Sequence, residues 1–242
     1  MSEKLKISRC PNIVIDASYI YFHRADEFHS LLKEIMLTYS VCKKYCDEYR
    51  IVISYPYKDQ LTEELFNHIK RTKIMIIERS LEGTLSLINS TRPLYLDPYS
   101  SKDLDPLELY YYDTMILGGV VDKPPRKRLT TSLIQMNLPW VDSRRITLRG
   151  SLAGVASNIN IIAEILLRTL LTGDLERSIR ETQPKREAMV RAHIEIMRKK
   201  DQLKTREDIE RLYRELAQWL NLDVVTFRRA LKRSGVSREL WI

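Results

Sequence analysis

The stretch TMILGGVVDKPPRKRLT, residues 114–130, carries the signals from which the rest of the chain is most easily read. Thr114-Met115-Ile116-Leu117 is a short apolar run without polar alternation, the pattern of a strand covered on both faces. Gly118-Gly119 follows. With no Cβ there, backbone amides and carbonyls can approach a ligand, although a Gly-Gly pair also serves as a plain structural turn. Asp122 then stands beside Lys123-Pro124-Pro125-Arg126-Lys127-Arg128, where two prolines forbid helix or inner strand. One carboxylate beside a cationic loop can hold a proton acceptor or a cation near a polyanion. A solvated surface loop has the same composition.

Working outward, the chain before this stretch alternates between two periods. Ile13-Val14-Ile15, Ile51-Val52-Ile53, residues 74–77 and Leu94-Tyr95-Leu96 read as strands, with 114–117 as the fifth. Residues 28–45, 61–69, 81–88 and 107–112 read as helices between them. Strands alternating with helices predict an α/β domain built on a mainly parallel sheet with helices on both faces. Ligands in such folds collect at the carboxyl ends of the strands. Here those ends are Asp16, Ser54, Asp97 and Gly118-Gly119. Ile146-Thr147-Leu148 reads as a sixth strand, followed by Arg149-Gly150-Ser151. The apolar segment 159–171 reads as a buried helix, with Ser157 or Asn158 as its N-cap and Gly173 just past its end.

Residues 174–242 differ in kind. They hold 17 basic and 12 acidic side chains, so +5 of the formal net charge of +8 lies there. Residues 185–200 and 205–220 read as amphipathic helices. The final stretch reads as two short helices around a turn, with Arg228, Arg229 and Lys232 on the second. Such a face suits nucleic acid, and a solvated helical bundle accounts for it equally well.

Several function classes are excluded. The seven glycines form no G-x-G-x-x-G, and none precedes the Lys of a P-loop. The four histidines lack ligand spacing, so no metal site is expected. There is no G-x-S-x-G elbow. No apolar run reaches the roughly 18 residues of a membrane span, and the N-terminus lacks the apolar core of a secretory signal. Cys42 and Cys46, spaced i, i+4 as on a helix, read as half-buried thiols. Three cysteines without a CxxC pair point to a reducing, cytoplasmic compartment.

The stretch 114–130 resembles the signature of the tRNA position-9 purine N1-methyltransferases, a branch of the knotted SPOUT superfamily, at Gly118, Gly119, Asp122, Lys127, Leu129 and Thr130. Residues 13–19 resemble the family's opening strand and 93–100 a strand ending near its cofactor. Asn160, Glu164 and the following Ile165-Leu166-Leu167, with Thr172-Gly173-Asp174, resemble its closing helix. The resemblance spans roughly residues 11–176, in order. It departs at Pro124, where the family commonly has Asn, and at Arg128, a frequent Gly.

The resemblance implies a SPOUT domain over 1–176 with a trefoil knot, and a small basic helical domain over 177–242 suited to tRNA binding. It implies S-adenosyl-L-methionine as cofactor, held by Leu96, Asp97, Leu117, Gly118, Thr147, Leu148, Arg149, Val155, Ser157 and Asn160. Asp122 is the expected catalytic residue. Lys123, Arg126, Lys127, Arg128, Arg149, Arg228, Arg229 and Lys232 are the expected RNA contacts. The expected partner is tRNA, with no membrane, and the chain is expected to act as a monomer.

Base chemistry then divides the two purines. Guanine N1 carries a proton that must leave, so Asp122 would act there as a general base. Adenine N1 has a free lone pair, and Asp122 would instead orient the exocyclic amine or stabilise developing positive charge. The absence of Asn at Pro124 favours adenine, giving N1-methyladenosine. N1-methylguanosine, both purines, another RNA such as ribosomal RNA, and a non-catalytic RNA-binding module are the alternatives. The target base lies in the tRNA core and must be turned out of it.

Overall fold

The computed structural model describes residues 5–20, 23–57, 60–119 and 138–241, which fall into two compact units. The first comprises residues up to Ile146 together with Asn158–Gly173. The second comprises Thr147–Ser157 together with the segment from Asp174 onward. The units therefore differ from the division expected at 176/177: the segment Thr147–Ser157 groups with the C-terminal helices.

The first unit contains strands β1 (Ile7–Arg9), β2 (Asn12–Asp16), β3 (Cys46–Glu48), β4 (Ile51–Ser54), β5 (Ile74–Ile77), β6 (Pro93–Leu96), β7 (Thr114–Gly118) and β8 (Asp142–Arg144). Its helices are α1 (Ala25–Tyr45), α2 (Gln60–Ile69), α3 (Leu81–Leu87) and α4 (Ile159–Thr172), with a 3-10 turn at Pro106–Tyr111. Six strands form one sheet in the order β5-β4-β2-β7-β6-β8, with every neighbouring pair parallel. This is the sheet that the alternating pattern predicts.

α1 forms because Phe28, Leu31, Leu32, Ile35, Cys42 and Tyr45 recur at helical spacing and are buried. Glu27 at its third position accepts the Arg24 N–H at 2.9 Å, which satisfies a donor the first turn leaves open. In the sheet, Val52, Val14, Ile116 and Tyr95 fall side by side in the register. With Leu81 and Leu85 of α3, and Leu138 and Val141, they make one buried cluster. Gly173 ends α4 at φ +70°, the left-handed cap expected of it.

Two expectations are corrected here. The sixth strand is not 146–148 but β8, which pairs with β6 through Leu94↔Asp142 and Leu96↔Arg144. Its polar, partly exposed side chains give no apolar signal, because it lies at the sheet edge. Ile146 and Leu148 are buried, but outside the sheet. The second correction concerns Cys46, which is not a thiol of α1. The helix stops at Tyr45, and Cys46 opens β3, which pairs with β1 and is bonded to Cys10. Only Cys42 remains free, and burial pushes its thiol up to about 12. The disulfide removes the cysteine-count argument for a reducing compartment.

Cross-linking residues 36 positions apart limits the unfolded chain. By loop length alone that stabilises the fold by about 3–4 kcal/mol. The Cys10→Ser/Cys46→Ser variant should therefore melt about 10 °C lower than the oxidised protein. An unchanged melting temperature would mean that the cross-link contributes nothing.

The second unit adds α5 (Leu175–Thr182), α6 (Lys185–Lys199), α7 (Arg206–Ala217) and α8 (Val224–Arg233). Asp174, Thr205 and Asp223 cap α5, α7 and α8 by accepting N–H bonds in their first turns. Ala188, Ala192 and Ile196 of α6 are buried, as are Phe227, Ala230 and Leu231 of α8, and the two helices pack together. Residues 218–223 link α7 to α8, so the first of the two short helices expected in the final stretch, over 216–223, does not form as a separate element. No described helix is long and apolar enough to cross a membrane.

Candidate active site

The chain leaves β2 towards β4, whereas it leaves β7 for β8 on the far side of β6. Parallel sheets open a ligand crevice at the carboxyl ends of strands whose connections diverge in this way. At those ends the register sets Ser54, Asp16 and Gly118 in one row, and Asp97 continues it after Leu96, the partner of Leu117. All four stand one step beyond the buried Val52–Val14–Ile116–Tyr95 row, on the same sheet face.

The polar groups of this row differ in how fully they are engaged. Ser54 Oγ donates to Arg79 O at 3.3 Å and accepts from Thr84 Oγ1 at 3.1 Å. Asp97 Oδ1 accepts from Tyr99 N at 2.9 Å, and Asp97 N donates to Arg144 O at 2.9 Å, which folds the chain sharply after β6. Asp16 Oδ1 accepts from both Ser18 N (3.1 Å) and Ser18 Oγ (2.6 Å). The Tyr95 hydroxyl is buried with no hydrogen-bond partner among the described residues. Burial, and then the charges of Asp16 and Asp97, push it well above the usual tyrosine range. The periodicity had marked Tyr95 only as a strand residue. A buried hydroxyl without a partner, under the charge of two carboxylates, is visible only in three dimensions.

Burial also pushes the Asp16 carboxyl above the usual carboxylate range, although the Ser18 bonds pull it down. Its folded value exceeds its unfolded one. The stability linked to its proton is thus present at low pH and lost as pH rises through the folded value. Asp16→Asn should then melt a few degrees above the parent at pH 8, with the gap closing towards pH 4. A gap independent of pH would contradict this assignment.

Gly119 takes the structural one of the two roles its sequence allows. Its N–H donates to Asp16 O at 2.8 Å, and an added Cβ would sit 2.8 Å from that same oxygen. The missing side chain is required by the close approach of β2 and β7 whether or not a ligand binds.

Asn160 stands in the first turn of α4, half-buried. That helix terminus is already occupied: Glu34 of α1 accepts from Ile159 N at 2.8 Å and from Asn158 Nδ2 at 2.7 Å. The carboxylate satisfies the open N–H and complements the helix dipole. Asn158 is the N-cap residue but makes no side-chain cap bond of its own. Further along α4, Glu164 accepts from Lys44 Nζ (2.9 Å) and Tyr45 Oη (2.7 Å). Burial raises the Glu164 pKa, but these bonds outweigh it and hold the carboxyl below its usual range. Glu164 therefore ties α4 to α1.

Thr147, Leu148, Arg149, Val155 and Ser157 belong to the second unit. Leu148 is fully buried, Thr147 and Val155 partly so, and Arg149 and Ser157 are exposed. Arg149 is expected among both the cofactor and the RNA contacts. Its guanidinium is committed to Glu176 (Nε–Oε2 3.1 Å, Nη2–Oε1 2.9 Å) and lies 4.5 Å from the centre of the Trp219 ring. On α8, Arg228, Arg229 and Lys232 are exposed while Phe227, Ala230 and Leu231 face the bundle. Asp122, Lys123, Arg126, Lys127 and Arg128 lie outside the described residues.

A cavity of about 620 Å³ opens at the opposite, amino ends of the strands, lined by Arg9, Asn12, Arg50, Tyr110 and Asp113 among others. The Asp113 carboxylate there is already taken by Ser90, Thr91 and Arg92. The polar row and the diverging connections favour the carboxyl ends over this cavity.

A parallel α/β sheet whose polar groups gather where strand connections diverge is the general architecture of a nucleotide- or cofactor-binding protein. The chain matches the family model described as tRNA (guanine(9)-N(1))-methyltransferase TRM10/TRM10A over residues 2–188, and it belongs to that family. It is 27% identical over 215 residues to the tRNA (adenine(9)-N1)-methyltransferase of Sulfolobus acidocaldarius, covering 88% of this chain and 65% of that one. It is 22% identical over 237 residues to the tRNA (guanine(9)-/adenine(9)-N1)-methyltransferase of Thermococcus kodakarensis, covering 94% and 63%. The chain thus spans somewhat under two thirds of the length of these relatives. Among solved structures, the Sulfolobus acidocaldarius Trm10 complex with S-adenosylhomocysteine superposes with a TM-score of 0.63 at 24% identity, over 96% of this chain and 70% of that one. The dual-specific Trm10 from Thermococcus kodakaraensis gives 0.60 at 22% identity, over 72% and 100%.

Proposed function

We propose that this chain is an S-adenosylmethionine-dependent tRNA methyltransferase that forms N1-methyladenosine at position 9. The observation that carries the reading is the family match over residues 2–188, which includes the Gly118-Gly119 strand end and Asp122. Bound S-adenosylmethionine supplies an electrophilic methyl group. The residues present suit such a group: Asp16 and Asp97 stand at the strand ends, and their charges act on the buried Tyr95 hydroxyl, which has no hydrogen-bond partner among the described residues. Leu96, Leu117, Gly118 and Asn160, with Thr147, Leu148, Arg149, Val155 and Ser157, are the proposed further contacts. In this reading the chain threads the trefoil knot of the SPOUT superfamily, and the knotted segments replace a glycine-rich phosphate loop.

Asp122 acts on the purine. With adenine it orients the exocyclic amine, and with guanine it accepts the N1 proton. Lys123, Arg126, Lys127 and Arg128 contact tRNA phosphates or the flipped base, and Arg228, Arg229 and Lys232 of α8 are further tRNA contacts. The chain acts as a monomer in the cytoplasm, where its tRNA substrate is found. The name of the Thermococcus kodakarensis relative favours a second reading, action on both purines.

One experiment separates these readings. The chain is incubated with tRNA transcripts carrying A or G at position 9, and N1 methylation is mapped by primer-extension stops. A stop at A9 alone supports adenine specificity, and stops on both transcripts support the dual reading. No stop, together with no calorimetric binding at millimolar S-adenosylmethionine, would leave a non-catalytic RNA-binding module.

A further inference from the structure

We infer that Glu176, Gln183, Arg191 and Trp219 are positioning residues for the methyl-donor site: the C-terminal helices set the backbone of segment 147–157. The inference rests on the proposed reading of Thr147, Leu148, Arg149, Val155 and Ser157 as cofactor contacts.

The segment consists of two tight turns that need external support. Leu148 and Ser151 exchange backbone bonds (Leu148 N to Ser151 O 2.8 Å, Ser151 N to Leu148 O 3.3 Å) around Arg149 and Gly150. Both central residues have positive φ, +50° and +71°, the mirror-image turn that favours Asn or Gly at both places. Arginine in that conformation is uncommon, because its Cβ crowds the backbone. Here its side chain anchors it. The guanidinium makes two parallel bonds to the Glu176 carboxylate and lies over the Trp219 ring. Trp219 is only 4% exposed, and the Arg191 guanidinium also lies over it, at 5.3 Å.

The second turn is seated just as closely. Gly154, at φ +93°, accepts from Gln183 Nε2 at 2.7 Å, and Ala153 O accepts from Arg191 Nη1 at 3.3 Å. A Cβ on Gly154 would lie 3.0 Å from Arg191 Cβ and 3.1 Å from Gln183 Nε2. Gln183 is itself locked by Asn221, whose N–H donates to its Oε1 (2.8 Å) and whose Nδ2 donates to its backbone O (2.7 Å). Arg191, 2% exposed, is also paired with Glu195 (Nε–Oε1 2.9 Å). A bundle that served only to bind phosphates would keep its arginines at the surface. This one spends Arg191, a buried glutamine and a buried tryptophan on holding one eleven-residue segment in an irregular shape.

The full chain and four variants are compared for S-adenosylhomocysteine affinity by calorimetry, for tRNA affinity by anisotropy, and for melting temperature. Glu176→Ala and Trp219→Leu should each weaken cofactor analogue binding about tenfold while tRNA affinity changes less than twofold. The contact proposed for Arg149 is made by its backbone, so adding Arg149→Gly to Glu176→Ala keeps that contact and should restore cofactor affinity to within about threefold, because glycine adopts positive φ unaided. General loosening of the bundle would not be rescued in this way, so failure of the rescue in a folded protein overturns the inference. Gly154→Ala tests the underlying reading separately. If it leaves cofactor affinity intact, segment 147–157 is not a cofactor segment and both statements fall. If it weakens binding while Glu176→Ala and Trp219→Leu do not, the cofactor reading stands and the positioning role is wrong.

Discussion

Where the chain acts on both purines, Asp122→Asn is expected to lower methylation of a G9 transcript by about 10²–10⁴-fold, the span that loss of a general base produces. On an A9 transcript the same variant should lose about tenfold or less. The difference follows from the nucleobases. At neutral pH guanine N1 holds a proton, and methyl transfer to it leaves that proton to be accepted. Adenine N1 presents its lone pair directly, so a carboxylate can only orient the amine or favour the developing positive charge, and an amide retains part of the first role. Single-turnover rates at saturating S-adenosylmethionine measure the step itself. Complete loss on A9 with unchanged cofactor affinity would contradict the lone-pair argument. A small effect on G9 would remove Asp122 as the base.

Gly119→Ala is the second substitution with a large expected effect, and here the effect is on stability. The new Cβ would stand 2.8 Å from Asp16 O, a backbone atom that cannot rotate away as a side chain could. β2 and β7 must separate at their carboxyl ends, which strains the 2.8 Å bond from Gly119 N to Asp16 O. Overpacking of this kind costs about 1–3 kcal/mol, and loss of the bond adds about 1 kcal/mol. For a chain of this length a fall in melting temperature of about 5–15 °C is expected. Because Asp16 stands in the polar row, the separation should also weaken cofactor binding. A fully stable Ala variant would mean that the strand ends are free to open.

Much of the architecture was legible in the sequence because its signals are local. Short apolar runs at 13–15, 51–53, 74–77, 94–96 and 114–117 all became strands of the parallel sheet. The apolar spacing of 28–45 and 159–171 became α1 and α4, and Gly173 became a left-handed cap. Family membership was legible for a related reason: motif spacing survives in one dimension. β8 escaped because an edge strand held by backbone bonds needs no apolar alternation. Neither β1 nor β3 announced itself, since each is three residues long.

The sequence alone therefore determined the five apolar strands in their order, the parallel sheet and the family, all of which depend on residues a few positions apart or on motif order. The tertiary structure decided which distant groups meet. Cys10 reaches Cys46, Glu34 occupies the N-terminus of α4, Gly119 presses on Asp16, and Arg149 lies between Glu176 and Trp219 in its contacts. Pairings of this kind are set by backbone register and side-chain packing, which leave no period in the chain. The Gly-Gly pair in the opening stretch illustrates both levels. Its position marked the end of a strand, but only the approach of β2 explains why Gly119 can carry no side chain.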